Sequence, residues 1–221
     1  MSRTKFEAVI FDLDGLMIDT ERIASDAWLR ASSEMGYPLT ENVVHEMIGR
    51  TGPDSDAILR KNLGEEVALD ELKALRLSYT DDHIANIGIP LKPGLLELLD
   101  FLDGRKIRKA VATSSTQERA AMKLKRPGLF ERFPVVISVD DVHRGKPAPD
   151  IYLETAVQLG VSANRCLVLE DSDAGARSAH AAGMQVIVVP DIKPPATDVV
   201  ALALRVEQSL SGVLGFLPQI I

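Results

Sequence analysis

The segment Ala8-Val9-Ile10-Phe11-Asp12-Leu13-Asp14-Gly15 decides the fold and marks a functional site. Its first four residues are apolar, which is typical of a short buried strand. Asp12 and Asp14 follow at the point where that strand ends. Because open α/β sheets present their chemistry at the carboxyl ends of the strands, we interpret this pair as part of a site. Two carboxylates repel each other there unless a cation or a proton intervenes, so the pair predicts a metal.

The composition limits the class of protein. The chain has 221 residues, of which 46% are hydrophobic and 26% charged, as expected for one large domain or one domain with a smaller insert. Its net charge of −7 offers no attraction to nucleic acid or an anionic membrane, so we predict neither partner. A single cysteine, Cys166, excludes an internal disulfide. With no apparent signal peptide, a cytoplasmic monomer is the expected state.

Short apolar runs and helical patterns alternate along most of the chain. The runs predicted to be buried parallel strands are residues 8–11, 109–112, 135–139, 166–169 and 186–189. The predicted helices are residues 95–102, 116–124, 150–159 and 173–182, and glycines mark the ends of several of them. This alternation implies right-handed crossovers in an α/β domain, with a Rossmann-like parallel sheet flanked by helices.

The stretch of residues 18–92 breaks the alternation, because it contains several helical patterns and no convincing strand. One helical face, for example, collects Ile23, Ala27, Trp28, Ala31 and Met35. We therefore predict an inserted all-helical cap domain over residues 18–92. The catalytic core is then made of residues 1–17 and 93–221, and the cap acts as a lid over it.

Each further predicted strand is followed by polar residues, as the first one is. They are Thr113, Ser114 and Ser115 after the second strand, Lys146 beyond the third, and Glu170 and Asp171 after the fourth. These groups are expected to converge on one crevice with Asp12 and Asp14. Carboxylates about 4 Å apart would repel by roughly 4 kcal/mol per pair at a surface-like dielectric. A hard divalent cation such as Mg²⁺, together with the lysine, would balance that charge.

Each of these motifs also has an ordinary structural interpretation. Asp12 and Asp14 could form a helix cap or a turn, where aspartate commonly binds nearby backbone amides. Thr113 could belong to a helix N-cap, and Lys146 could be a solvated loop charge. Glu170 and Asp171 could form a surface salt bridge with Arg177. These alternatives compete with the site hypothesis.

The motifs taken in order resemble those of a known family. Asp12-Leu13-Asp14-Gly15, Thr113-Ser114, Lys146-Pro147 and Glu170-Asp171 are similar to the four motifs of the haloacid dehalogenase (HAD) superfamily. The helical insert and the sequences at residues 145–150 and 169–172 resemble its branch of small-molecule phosphatases and β-phosphoglucomutases. The similarity covers residues 7–190.

The resemblance implies roles for individual residues. Asp12 is expected to be the nucleophile and Asp14 the general acid and base. The Thr113 hydroxyl and the Ser114 amide would bind the phosphoryl oxygens, and Lys146 would offset their charge.

The same resemblance implies a set of metal ligands and substrate contacts. Mg²⁺ would be bound by Asp12, the Asp14 carbonyl and Asp171. Glu170 would be either a further ligand or an orienting group. Thr20 and Arg50 of the insert are candidate contacts to substrate.

These roles predict a magnesium-dependent phosphatase that hydrolyses a small sugar or polyol phosphate ester through an aspartyl phosphate. Asp14 argues against carbon–halogen chemistry, in which no leaving oxygen needs a proton. The alternative is a phosphosugar mutase of the β-phosphoglucomutase type. Against it, Ala24 stands where those mutases carry a cap histidine, and Gly52 where they carry a cap arginine. A third hypothesis is an inactive binding protein on the same scaffold, although no motif residue is missing.

Overall fold

The computed structural model describes residues 6–48 and 52–221. The chain divides into two compact units, Met1–Ile18 with Pro90–Ile221, and Asp19–Ile89. The strands of the first unit are β1 (Ala8–Phe11), β2 (Arg108–Ala112), β3 (Val135–Ile137), β4 (Cys166–Glu170), β5 (Gln185–Val188) and β6 (Arg205–Val206). Its helices are α5 (Leu95–Gly104), α6 (Gln117–Lys125), α7 (Asp150–Leu159), α8 (Asp173–Ala181), α9 (Thr197–Leu202) and α10 (Leu210–Phe216). The second unit contains α1 (Thr20–Glu34), α2 (Glu41–Met47), α3 (Gly52–Leu63) and α4 (Leu69–Asn86).

In the described part of the first unit, the strands form one sheet in the order β3-β2-β1-β4-β5-β6. All neighbouring strands are parallel. This arrangement confirms the predicted α/β class with a Rossmann-like parallel sheet. The strand order reverses between β1 and β4, and such a switch point opens a crevice at the carboxyl ends of the strands.

Burial explains why the strands read as continuous apolar runs. Every residue of β1 and β4 is buried, because helices cover the sheet. Side chains alternate between the two faces of the sheet, and one face packs against α7 and α8. Helix α5 packs against β2, and α10 packs against α5 in turn.

Two strand predictions need correction. The third strand ends at Ile137 rather than at residue 139, because a capping box starts a short 3₁₀ helix there. The Ser138 hydroxyl accepts from the Asp140 amide, and the Asp141 carboxylate accepts from the Ser138 amide. β6 was not predicted from the sequence, because it has only two residues, both exposed, and so carries no apolar run.

The apolar C-terminal segment, which carried no structural prediction, forms part of the core. It folds into α10 and a following 3₁₀ turn. Leu210, Val213 and Leu217 are all buried there. Their spacing of three and four residues places them on one face of the helical segment.

The environment of Cys166 predicts a chemically inert thiol. Cys166 begins β4, is fully buried, and burial raises its pKa to about 11. Because the thiolate is the reactive form, a thiol-specific disulfide reagent at pH 8 should modify the native protein on the order of 100-fold more slowly than the chain unfolded in guanidinium. Equal rates in the two states would contradict this packing.

Among its described residues, the second unit consists of four helices and their connecting loops, without a strand. Ala31, Leu59 and Leu72 come from three different helices and are fully buried in one cluster. Trp28 packs against the same cluster. Taking both units together, no helix among the described residues is both long and apolar enough to cross a membrane.

Candidate active site

The sheet itself brings the first carboxylates together. β1 and β4 are neighbours with Phe11 paired to Leu169, and the Asp12 amide donates to the Leu169 carbonyl at 3.0 Å. Asp12 therefore lies beside Glu170, the last residue of β4. Carboxylate oxygens of Asp12, Glu170 and Asp171 all lie within 4.8 Å of one another. Three of the four acids predicted to share one crevice are thus gathered at the switch point of the sheet, and Asp14 is the exception.

Lys146 lies between two acids of this cluster. Its Nζ is 2.5 Å from Asp12 Oδ1 and 2.6 Å from Glu170 Oε1, and it donates to the Ala112 carbonyl at 3.0 Å. Burial alone would lower the pKa of Lys146, but the neighbouring carboxylates outweigh it and hold that pKa well above its usual value. Lys146 is therefore a permanent positive charge inside the site and not a solvated loop lysine.

Glu170 is completely buried, and both of its carboxylate oxygens are occupied. Oε1 accepts from Lys146 and from the Tyr152 hydroxyl at 2.8 Å. Oε2 accepts from the Asp171 amide, the Ser172 amide and the Ser172 hydroxyl at 2.9–3.0 Å. Burial raises the pKa of Glu170, but Lys146 and these donors reverse the effect, so its pKa lies below the usual value. The carboxylate is charged and fixed in orientation.

The alternative salt bridge between Glu170 and Arg177 is absent from the described residues. Arg177 instead forms a two-pronged pair with Asp198, at 2.9 and 3.0 Å. Gly175 of α8 allows the close approach of the Glu170 carboxylate, because a Cβ at position 175 would overlap it. The acid is therefore directed into the protein and not towards solvent.

Burial raises the pKa of Asp12 to about 7, and the negative charges of Glu170 and Asp14 add to that rise while Lys146 opposes it. At neutral pH the carboxyl group is thus poorly stabilised as an anion by the protein alone. The cluster holds three carboxylates, and two of them, Asp12 and Glu170, contact the Lys146 ammonium. An oxygen-rich site with a surplus of negative charge suits a hard divalent cation, so the residues present fit Mg²⁺.

Gly15 makes room for this cluster. It has a φ of +86°, and a Cβ at this position would overlap Asp171 Oδ2. Glycine is thus required both by the backbone conformation and by the close approach of a carboxylate.

Replacing Gly15 with alanine should therefore cost stability and disturb the cluster. Gly128→Ala is the matched control, since Gly128 has a φ of +74° with open space around it. Both variants should lose about 1–3 kcal/mol of unfolding free energy from backbone strain. Only Gly15→Ala should also weaken Mg²⁺ binding, by about 10-fold in titration calorimetry. Equal Mg²⁺ affinities in the two variants would show that position 15 does not shape the cluster.

Asp14 occupies a separate position beside the cluster. Its Oδ1 accepts from Lys123 Nζ at 2.5 Å, and its Oδ2 accepts from the Ser115 hydroxyl at 2.9 Å. The Thr113 hydroxyl lies 3.5 Å from the same Oδ2. The Asp14 carboxylate is therefore not one of the three clustered acids, and only its backbone carbonyl remains a predicted metal ligand.

The loop after β2 places the predicted phosphate-binding residues. Thr113 is buried, and its hydroxyl accepts from the Ser115 amide at 3.0 Å. Ser114 is exposed between them. The alternative helix N-cap at Thr113 is not formed: Thr116 is the N-cap residue of α6, it makes no side-chain cap hydrogen bond, and the Gln117 amide donates to Asp140 at 2.9 Å.

Three residues of this region were missed by sequence reasoning: Lys123, Ser115 as a partner of Asp14, and Tyr152. A signal existed for Lys123. It lies three residues after Ala120 and directly before Leu124, and all three are buried on one face of α6. A lysine at a core-facing helical position indicates a buried charge with a partner.

Two predicted substrate contacts belong to the insert. Thr20 is the first residue of α1 in the second unit, and it is buried. Arg50 lies outside the described residues. Their roles in substrate binding stay predictions.

A parallel sheet with a buried aspartate, a paired lysine and an acidic cluster at its switch point is the arrangement expected of a phosphoryl-transfer hydrolase. The chain belongs to the haloacid dehalogenase-like hydrolase family, which residues 9–189 match. This finding confirms the resemblance of the four motifs. It also agrees with the predicted enzyme class, phosphoric monoester hydrolase.

Individual relatives agree with this assignment. A protein of Thermotoga maritima named phosphorylated carbohydrates phosphatase is 34% identical over 179 residues, covering 81% of this chain and 82% of its own. The validoxylamine A 7′-phosphate phosphatase of Streptomyces hygroscopicus is 30% identical, covering 81% of this chain and 83% of its own. A HAD family hydrolase from Deinococcus radiodurans, solved with bound phosphate and sodium, has a TM-score of 0.79 and 27% identity, covering 99% of this chain and 97% of its own.

Proposed function

We propose that the protein is a magnesium-dependent phosphatase that hydrolyses a small phosphorylated metabolite of the sugar or polyol phosphate class through an aspartyl phosphate. The observation that carries this proposal is the meeting of the Asp12, Glu170 and Asp171 carboxylates at the end of the sheet, with the Lys146 ammonium between Asp12 and Glu170. The names of the relatives support the substrate class, since one is named for phosphorylated carbohydrates and another for validoxylamine A 7′-phosphate.

In the first step, a carboxylate oxygen of Asp12 attacks phosphorus and the bond from phosphorus to the ester oxygen breaks. The electron pair of that bond stays on the leaving oxygen, which takes a proton from Asp14. The leaving group departs as an alcohol, and the phosphoryl group remains on Asp12. Lys146 offsets the charge of the transferred oxygens during this step.

In the second step, a water oxygen attacks the same phosphorus and gives one proton to Asp14. The bond between phosphorus and Asp12 breaks, and its electron pair returns to the Asp12 carboxylate. Inorganic phosphate is released and Asp14 is protonated again, ready for the next substrate. Asp14 therefore acts as an acid and then as a base, which requires its carboxyl group to face the reacting oxygen in both steps.

Asp12, Asp171 and the Asp14 carbonyl are the groups that would hold Mg²⁺. The ion would supply positive charge to the phosphoryl oxygens and lower the repulsion between substrate and site. Because protein donors saturate both oxygens of Glu170, we propose that Glu170 orients Lys146 and the Asp171 backbone instead of binding the ion directly. Among the described residues, the Thr113 hydroxyl and the Ser114 amide remain the proposed contacts to the phosphoryl oxygens.

We further propose that residues 18–92 act as a cap that limits substrate size, with Thr20 and Arg50 among its contacts to substrate. The helical character of the second unit supports this role. The negative net charge supports an enzyme with no nucleic-acid or membrane partner, and the lone Cys166 suits the reducing cytoplasm. A monomer is the simplest state consistent with these features.

The decisive test of the proposal is turnover with and without metal. We expect release of inorganic phosphate from p-nitrophenyl phosphate and from members of a panel of sugar and polyol phosphates. Removing Mg²⁺ with a chelator should lower the rate by about 100-fold or more, and adding excess Mg²⁺ should restore it. Metal-independent turnover, or none on any phosphate ester, would reject the proposal. Conversion of one sugar phosphate into its isomer without phosphate release would instead favour the mutase alternative.

A further inference from the structure

Lys123 of α6 is a buried lysine to which the proposed mechanism gives no role. Only 7% of its side chain is exposed. Its Nζ lies 2.5 Å from Asp14 Oδ1 and 2.9 Å from the Ser115 hydroxyl oxygen. The same hydroxyl donates to Asp14 Oδ2 at 2.9 Å. Lysine, serine and aspartate thus form a closed triangle in which both oxygens of Asp14 are held.

Asp14 needs such support because it lies on the turn after β1 and not within the strand. A carboxylate on a turn has several rotamers open to it, and each one directs its oxygens differently. Contacts to both oxygens select one of them. Since Asp14 has to face the reacting oxygen twice per cycle, a fixed orientation favours both steps.

The triangle is also separate from the charges that hold the phosphoryl group. Lys146 supplies the ammonium between Asp12 and Glu170. Lys123 belongs to α6, the helix that follows the loop after β2, and it contacts Asp14 and Ser115. A buried ion pair is costly to desolvate and is weak evidence for stability by itself. Its position beside the proposed acid and base points to a functional explanation.

We infer that Lys123 is a positioning residue that, with Ser115, fixes the Asp14 carboxyl group for proton transfer. This inference rests on the proposed function and extends it to a residue outside the four motifs. Lys123 acts through Asp14, so removing it should impair the steps that depend on proton transfer and spare those that do not.

Two substrates with different leaving groups distinguish the step that needs a proton from Asp14 from the step that does not. p-Nitrophenolate departs without a proton, whereas the alkoxide of a sugar phosphate needs one from Asp14. In Lys123→Met, kcat/KM for a sugar phosphate that the wild-type protein hydrolyses should fall about 30-fold, while kcat/KM for p-nitrophenyl phosphate should change less than about 3-fold. Water activation should slow for both substrates. The variant should therefore release p-nitrophenol in a burst of about one equivalent per enzyme, followed by a slower steady state.

Three further variants make this test specific. Lys125→Met changes an exposed lysine of the same helix and should keep wild-type values for both substrates. Lys123→Arg keeps the charge and should recover most of the loss. Ser115→Ala removes the hydroxyl of the triangle and should shift the ratio of the two kcat/KM values in the same direction as Lys123→Met, by a smaller factor. Circular dichroism should show a native fold for each variant.

Other outcomes overturn the inference. Equal losses of kcat/KM for both substrates would assign Lys123 to phosphate binding or to the fold. Unchanged values and the absence of a burst would assign it no role in the reaction. Failure of the proposed function would look different, since the wild-type protein itself would then hydrolyse neither ester, and both proposals would fall together.

Discussion

Asp12→Asn is expected to lower phosphatase activity by on the order of 10⁴-fold or more, because it removes the proposed nucleophile while keeping the shape of the side chain. The amide nitrogen cannot form the aspartyl phosphate. Radiolabelled substrate should leave a phosphorylated protein in acid-quenched wild-type enzyme and none in the variant. Asp12→Ala should be equally inactive. More than 1% residual turnover in both variants would mean that Asp12 is not the nucleophile.

Stability offers an independent measurement on the same variant. In the folded chain the pKa of Asp12 is about 7, above its usual value of 3.8, so the folded state binds the proton more tightly than the unfolded chain does. Stability from this group is therefore lost as pH rises towards 7. In a chelator, wild-type protein should lose roughly 2–3 kcal/mol between pH 5 and pH 8 on this account, and Asp12→Asn should not. Identical pH profiles in denaturant titrations would contradict the raised pKa.

Lys146→Met is expected to have the second largest effect, because it leaves Asp12 and Glu170 buried without their shared counter-ion. Removing one partner of a buried pair typically costs about 3–5 kcal/mol of unfolding free energy. Activity should fall by about 10²–10³-fold, since the transferred oxygens lose a cationic partner. Lys125→Met is the control for both measurements and should behave like the wild-type protein.

The pH dependence of this variant follows from the same contacts. The pKa of Glu170 is lowered, so the stability it contributes is present above its usual value of 4.5 and is lost as pH falls. The pKa of Lys146 is raised, so its contribution is present below 10.5 and is lost at higher pH. The pair therefore stabilises the protein across the neutral range. Without the ammonium the carboxyl groups take up protons more readily, and the cost should be smaller at pH 5 than at pH 8.

Added Mg²⁺ distinguishes the contribution of Lys146 to stability from its contribution to activity. If the ion can replace part of its charge, saturating Mg²⁺ should restore some of the stability lost in Lys146→Met but little of the activity. A variant as stable and as active as Lys125→Met would show that the buried ammonium is not required.

The sequence alone identified five strands of the sheet, because buried parallel strands leave continuous apolar runs that a short window reveals. Residues 8–11 and 166–169 were assigned as strands from this pattern, and the structure has them as β1 and β4. β6 was missed because an exposed strand of two residues carries no such pattern. The family was recognisable for a related reason: its chemistry needs particular residue types directly after particular strands.

Only the tertiary structure decided how the polar groups share their contacts. Asp12, Glu170 and Asp171 were predicted to meet. The sequence did not indicate that Tyr152 and Ser172 donate hydrogen bonds to Glu170 and so help to occupy both of its carboxylate oxygens. Such partners come from separate elements, and nothing in their local sequence distinguishes them from core residues.

Lys123 is the clearest example of a contact that the local sequence does not determine. Helical periodicity places it on the buried face of α6, and it leaves open which carboxylate it meets. That choice depends on how α6 packs beside the turn after β1, more than one hundred residues away in the chain. A strand pattern or a helix face is a local property, so sequence determines it. A contact between side chains depends on the packing of whole elements, so only the folded structure decides it.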